Sequence, residues 1–195
     1  MELVIASSNT HKVLQFREFL KDLKPNLTVL SLFDFPHYKL PAYDPTKSFA
    51  ENARLKAQDA ALALQKSCLA EQWGLVIPAL AEQELTIFDH DGQVKQTKKI
   101  LSALQGKKEF ERTAYLESCI TCATVQGSLK ESIGRAEGLI AESERGKSSS
   151  DFDSIFIKHD YMKTLAELPV SVRLRISHRR KALEKLIGFF DALLR

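Results

Sequence analysis

Leu3, Val4, Ile5 and Ala6 form an uncharged apolar run, the pattern of a strand buried on both faces. Four small polar residues follow, Ser7, Ser8, Asn9 and Thr10, whose side chains favour turns and helix caps. From His11 to Leu23 the apolar positions Val13, Leu14, Phe16, Phe19, Leu20 and Leu23 recur at helical spacing. A buried strand opening into a helix start presents unpaired N–H groups and a positive dipole end, and Lys12 adds a mobile cation in the first turn. The pattern suits an anion site. It also suits an ordinary strand–helix connection capped by Ser or Asn, the commoner use of such residues.

Further along, Asn26 to Leu32 reads as a second strand, and Phe33 to Lys47, with Pro36, Pro41 and Pro45, as a loop. Ser48-Phe-Ala-Glu51 is a capping box that opens an alanine-rich helix to about Lys66. Asn52 and Lys56, four apart, share one face of it. Ser67 to Ala70 predicts a short strand, Glu71-Gln72-Trp73-Gly74 a polar break, and Leu75 to Leu80 a second apolar segment. Asp89-His90-Asp91-Gly92 is a turn signal more than a metal loop, and a helix is expected over Gln93 to Gln105. Ala114 to Val125 and Ser128 to Ala141 predict a long hairpin across Gln126-Gly127. Glu142 to Ser150 reads as loop, Asp151 to Ile157 as strand, and Tyr161 to Leu168 as a short helical pattern ended by Pro169. Ser177 to Leu194 reads as one closing helix. Its first turn holds His178, Arg179 and Arg180 beside a positive dipole end, an arrangement that calls for a compensating anion. Alternating strands and helices followed by a meander predict an α/β fold with a mixed sheet.

Composition narrows the class. With 195 residues, 44% hydrophobic and 27% charged, the chain reads as a globular protein with a substantial core, set out as a single domain over 1–195. No apolar run approaches the roughly 20 residues that span a bilayer, and Glu2 stands where a signal peptide wants a basic residue. Three cysteines, an odd number, suit a reducing compartment, so the cytoplasm is expected and a membrane is not. Cys119 and Cys122 lie three apart on an expected strand, where side chains diverge to opposite faces, so they make no zinc or redox motif. The net charge of +3 is modest and argues against nucleic acid for the whole chain, yet Ser171 to Arg195 carries seven basic residues against two acidic. That basic segment suits phosphate, on a small nucleotide or on a polymer, or a solvated helix face.

Four segments together resemble the inosine triphosphate pyrophosphatase family over nearly the whole chain, Leu3 to Leu186. They are Ala6-Ser-Ser-Asn-Thr-His-Lys12, Ser48-Phe-Ala-Glu-Asn-Ala-Arg-Leu-Lys-Ala57, Arg145-Gly146 with Phe152-Asp-Ser-Ile-Phe156, and Ile176-Ser-His-Arg179 with Lys181-Ala-Leu183. The resemblance implies Mg²⁺-dependent hydrolysis of non-standard purine nucleoside triphosphates to monophosphate and pyrophosphate. It implies an elongated, twisted mixed β-sheet with flanking helices, two lobes around a central cleft, and a homodimer. By the same resemblance Ser7, Asn9, Lys12 and Lys56 meet the triphosphate, and Asp44 and Glu71 are the metal ligands. Phe152, Asp153 and Arg173 belong to the base side, and His178 and Arg179 contact the purine 6-oxo group. A site that hydrogen-bonds that group rejects adenine strongly.

The departures are specific. The family's paired acids followed by a small residue read Glu71, Gln72 and Trp73 here, so the catalytic position falls on Glu71 and Gln72. An amide accepts no proton, and loss of a general base costs about 10²- to 10⁴-fold. Ser149-Ser150-Asp151 replaces a Gly-Phe-Gly, Arg173-Leu174 replaces a Lys-Asn pair, and Ala81 to Gly92 is shortened. These changes keep a second reading open, a non-catalytic relative that binds a nucleotide or a protein partner.

Overall fold

The structure, a computed structural model, describes residues 2–83, 87–88, 97–147 and 152–193. The chain folds into two compact units: Met1–Gln72, Ser118–Gly134 and Arg179–Arg195 form one, and Trp73–Glu117 with Arg135–His178 the other. The mixed α/β sheet with flanking helices is present as expected, its strands hydrogen-bonded in the order β2-β1-β3-β5-β6-β7 with β4 on β3.

In the first unit β1 (Glu2–Ile5) pairs in parallel with β2 (Thr28–Ser31) and with the start of β3 (Ser67–Val76). Leu3, Val4 and Ile5 are sealed from solvent, as an uncharged run demands. Helix α1 (Thr10–Leu23) buries Lys12, Val13, Phe16, Phe19 and Leu20, whereas Leu14, expected on the apolar face, lies exposed. Helix α2 (Phe49–Leu64) begins at the expected capping box: Ser48 Oγ accepts from Glu51 N–H, and the Glu51 carboxylate accepts from Ser48 N–H. Its inner face includes Ala57, Ala60 and Ala61, small enough for close approach to Val4, Cys68 and Ala70. Asn52 ties down the loop before it. Its amide oxygen accepts from Asp44 N–H, and its amide nitrogen donates to the carbonyls of Asp44, Lys47 and Ser48.

The predicted break at residues 71–74 is absent, because β3 runs unbroken through them with Glu71, Gln72, Trp73 and Gly74 all buried. The Glu71 carboxylate and the Gln72 amide oxygen are met by side-chain partners rather than by water, so they do not end the strand.

In the second unit, β3 continues to β4 (Ile87–Phe88), antiparallel, and α3 (Thr97–Ala103) falls inside the expected helix, whose first four positions lie outside the described residues. Strands β5 (Thr113–Ala123) and β6 (Leu129–Ile140) form the expected hairpin, with Gly127 at φ +84° in its turn. β7 (Phe156–Lys158) pairs antiparallel with β6 and is shorter than predicted: Phe152 to Ile155 form a turn, Ile155 and Phe156 N–H both donating to Phe152 C=O. The helical pattern before Pro169 yields only a 3₁₀ turn, Leu165–Glu167, and α4 (Val170–Ile176) was not expected. The closing helix, which from Arg179 on belongs to the first unit, divides into α5 (His178–Glu184) and α6 (Ile187–Leu193), where Leu186 N–H turns back to Leu183 C=O. The Asp89–Gly92 turn and the Ser149–Asp151 substitution lie outside the described residues.

Arg112 braces this unit. Its guanidinium, buried, donates to Ile140 C=O at 2.8 Å, Leu104 C=O at 2.6 Å and Ala141 C=O at 2.5 Å. Arg112→Leu is expected to lower the unfolding free energy by about 3 kcal/mol, seen as a lower urea midpoint at unchanged slope.

Candidate functional site

The β1–α1 connection has the build of a helix cap. Asn9 Oδ1 accepts from Lys12 N–H at 3.0 Å, and Ser7 Oγ accepts from Asn9 N–H at 3.2 Å. Capping aims the Lys12 stem inward, where its ammonium sits 3.2 Å from Glu71 Oε2. Glu71, wholly buried on β3, also accepts from Ser118 Oγ of β5 at 2.6 Å and from Arg179 Nε of α5 at 2.9 Å. Gln15 fixes the far side of that guanidinium, accepting from Arg179 Nη1 at 3.0 Å. Burial pushes the Glu71 carboxyl up, but Arg179, Lys12 and the Ser118 hydroxyl outweigh it and hold the group below its ordinary range.

Neighbouring strand residues face opposite ways, and the contacts of Glu71 and Gln72 follow that rule. Gln72, 1% exposed, meets α2: its Oε1 accepts from Lys56 Nζ at 3.0 Å, and its Nε2 has no hydrogen-bond partner. Glu71 and Gln72 thus serve different neighbours. Asp44 is engaged by its own loop, accepting from Thr46 N–H, Thr46 Oγ1 and Lys47 Nζ, and the Lys47 and Thr46 hydrogen bonds hold it at about 2.

A resident divalent ion was expected on Asp44 and Glu71. Magnesium prefers an octahedron of oxygens and sheds water reluctantly. Here the oxygens of Glu71 face two cations, and position 72 is an amide. Among the described residues no group of three or more His, Cys, Asp or Glu is placed to hold a metal. This donor set does not fit a protein-held Mg²⁺.

The base-side residues of the second unit form two contacts. Asp153 Oδ2 accepts from Arg173 Nη1 of α4 at 2.8 Å. Trp73, a core residue, packs edge-on against Phe152 with centroids 6.0 Å apart, and its ring lies 5.3 Å from that of His178. Trp73→Leu is expected to cost about 2 kcal/mol through lost packing and aromatic contact, and to shift the His178 imidazole resonances in NMR.

The compensating anion expected at the start of α5 is supplied by the protein itself. Arg179 meets Glu71, while Arg180 meets Asp22 at 2.7 Å and Glu184 at 2.9 Å. Sequence reading passed over Ser118 and Gln15, since a serine within a strand and a glutamine within a helix carry no local signal of their distant partners. The three cysteines are buried and unbridged, and burial pushes the Cys68 and Cys122 thiols up to about 12. No helix among the described residues is long and apolar enough to cross a membrane.

Cap, buried ion cluster and mixed sheet define the first unit as an α/β framework. The Ham1 family pattern matches residues 3–189. A dITP/XTP pyrophosphatase of Protochlamydia amoebophila (strain UWE25) is 37% identical over 199 residues, covering 99% of each chain. One of Chlamydia abortus is 36% identical over all of this chain and 96% of its own. The Ham1 protein of Staphylococcus aureus superposes with a TM-score of 0.82 at 28% identity, over 98% of this chain and 99% of that one. That of Coxiella burnetii gives 0.79 at 28% identity over the same shares. The chain belongs to the Ham1 family, as its sequence resemblance led us to expect.

Proposed function

We propose that this chain hydrolyses non-standard purine nucleoside triphosphates, dITP, ITP and XTP, to the monophosphate and pyrophosphate. In that reaction water attacks the α-phosphorus and the bond to the β-phosphate oxygen breaks. One observation carries the reading. The two lysines assigned to the triphosphate, Lys12 and Lys56, arrive from two helices at consecutive strand residues, Glu71 and Gln72, in a chain matched end to end by relatives named dITP/XTP pyrophosphatase. Their shared activity favours hydrolysis over a purely binding role.

In this reading Ser7, Asn9, Lys12 and Lys56 hold phosphate oxygens. Phe152, Asp153 and Arg173 flank the base, and His178 and Arg179 select the 6-oxo group. Glu71 is better suited to hold Lys12 and Arg179 in place than to act as a base, since both its oxygens are engaged. Mg²⁺ remains the cofactor implied by the resemblance, and no step is assigned to it. A homodimer and a cytoplasmic setting complete the proposal, the second supported by thiols left unbridged.

The test is pyrophosphate release from dITP, XTP and ATP with Mg²⁺, with Mn²⁺ and with EDTA, beside light scattering for the dimer. The expected result is a preference for the oxo-purines over ATP of about tenfold or more. Turnover of none of them removes the enzyme reading.

A further inference from the structure

In the second unit, Asp153 and Ser154 are held through their backbone from two sides. Arg145 N–H donates to Ser154 C=O at 2.8 Å, and Ala166 N–H donates to Asp153 C=O at 2.8 Å. Neither bond uses the Asp153 carboxylate, which accepts from Arg173 Nη1 instead. Where that carboxylate stands is therefore set by two segments distant in sequence, the loop at 144–146 and the 3₁₀ turn Leu165–Glu167.

Thr164 joins these two segments. It is wholly buried, and its hydroxyl lies 3.0 Å from both Arg145 C=O and Glu167 Oε2, so its one proton is shared between them. Its N–H donates to the same Glu167 oxygen at 2.8 Å, which completes a capping box and holds that carboxyl below its ordinary range. Gly146, at φ +78°, makes room for the junction, since a Cβ there would stand 2.8 Å from Ala166 C and 2.9 Å from Glu167 N. A cap needs partners only within its own turn. The bond to Arg145, 19 residues away, serves the loop that grips Ser154.

We propose that Thr164 is a positioning residue for base selection, its hydroxyl registering the Arg145 loop against the Leu165–Glu167 turn so that Asp153 meets the purine in one fixed place. The inference rests on the reading of Asp153 as a base-side residue of a purine nucleotide pyrophosphatase. It assigns part of the discrimination between oxo- and amino-purines to a hydroxyl sealed from solvent. The physical reason is that a polar site rejects the wrong exocyclic group only when its own groups are unable to shift toward it.

The test compares Thr164→Val, which keeps the side chain's shape and removes the hydroxyl, with Thr164→Ser, which keeps the hydroxyl. Each is titrated calorimetrically in Mg²⁺ with the α,β-methylene analogues of ITP and ATP, in which the bond to be broken is replaced, so binding is read whether or not the protein turns over. Wild type is expected to bind the ITP analogue more tightly than the ATP analogue by about tenfold or more. In Thr164→Val that preference is expected to shrink by about tenfold, through weaker binding of the ITP analogue, while Thr164→Ser stays within about threefold of wild type. A hydroxyl with a structural role alone would lower the Tm of Thr164→Val and leave the ratio of the two affinities unchanged, and that result overturns the proposal. A wild type without base preference overturns it too, as does a Thr164→Ser as impaired as Thr164→Val. Should Thr164→Val fail to fold, Glu167→Gln, at a part-exposed position, carries the test: the preference is expected to fall by about threefold or more, and an unchanged ratio overturns the proposal. Parallel hydrolysis of dITP separates the two readings. A wild type that prefers the ITP analogue but releases no pyrophosphate sinks the enzyme and leaves Thr164 to be judged by binding, whereas selective turnover with the preference intact in the variants does the reverse.

Discussion

Gln72→Asp is expected to raise pyrophosphate release from dITP by about 10²- to 10⁴-fold, the span that a positioned general base contributes. The amide at 72 accepts a hydrogen bond from Lys56 but takes up no proton, and β3 turns the neighbouring Glu71 toward Lys12, Ser118 and Arg179. A carboxylate at 72 would sit beside the Lys56 ammonium, which keeps it ionised at neutral pH and ready to accept a proton from water. The measurement is initial rate against dITP at saturating metal, with ATP as the control. A variant no faster than wild type would show that residue 72 is not where water is deprotonated.

The second large effect is on stability. Glu71→Gln is expected to cost about 3–5 kcal/mol, because it leaves buried Lys12 and part-buried Arg179 facing a neutral amide. For a chain of this length that is a drop in Tm on the order of 10 °C. The pH dependence has a definite sign. The Glu71 carboxyl is held below its ordinary range, so its contribution is complete above the unfolded value of about 4.3 and fades as pH falls below it. Wild type should therefore lose stability steeply below about pH 4, and Glu71→Gln should flatten that slope. Equal slopes in acid for the two proteins would remove Glu71 as the anchor.

Much of the first unit is legible in the sequence because its signals are local. A run such as Leu3–Ala6 has one physical use, and Asn9 and Ser48 announce helix starts within three residues of the groups that they cap. The centre of β3 is illegible for the opposite reason. Glu71 and Gln72 look like a solvent break because a sequence does not display Arg179 or Lys56 beside them, and only those partners make the polar pair compatible with a buried strand. The same limit applies to the closing helix. Its apolar spacing is right, yet the turn at Leu186 is a matter of backbone hydrogen bonding that periodicity does not report. The family resemblance pointed to Lys12, Lys56, Asp153 and His178, but it could not say that Asp153 and Arg173 hold each other or that Trp73 lies against the imidazole.

Asn52 grips residues 44–48 entirely through their backbone, one amide reaching an N–H and three carbonyls. The shape of that loop is thus written largely in peptide groups, to which the side chains at 44, 46 and 47 add bonds among themselves and one to Thr46 N–H. Such a loop can drift or be redesigned without being refolded. New donors or acceptors introduced at those three positions would inherit a ready-made mount, which makes this short stretch a natural place to graft new chemistry onto the chain.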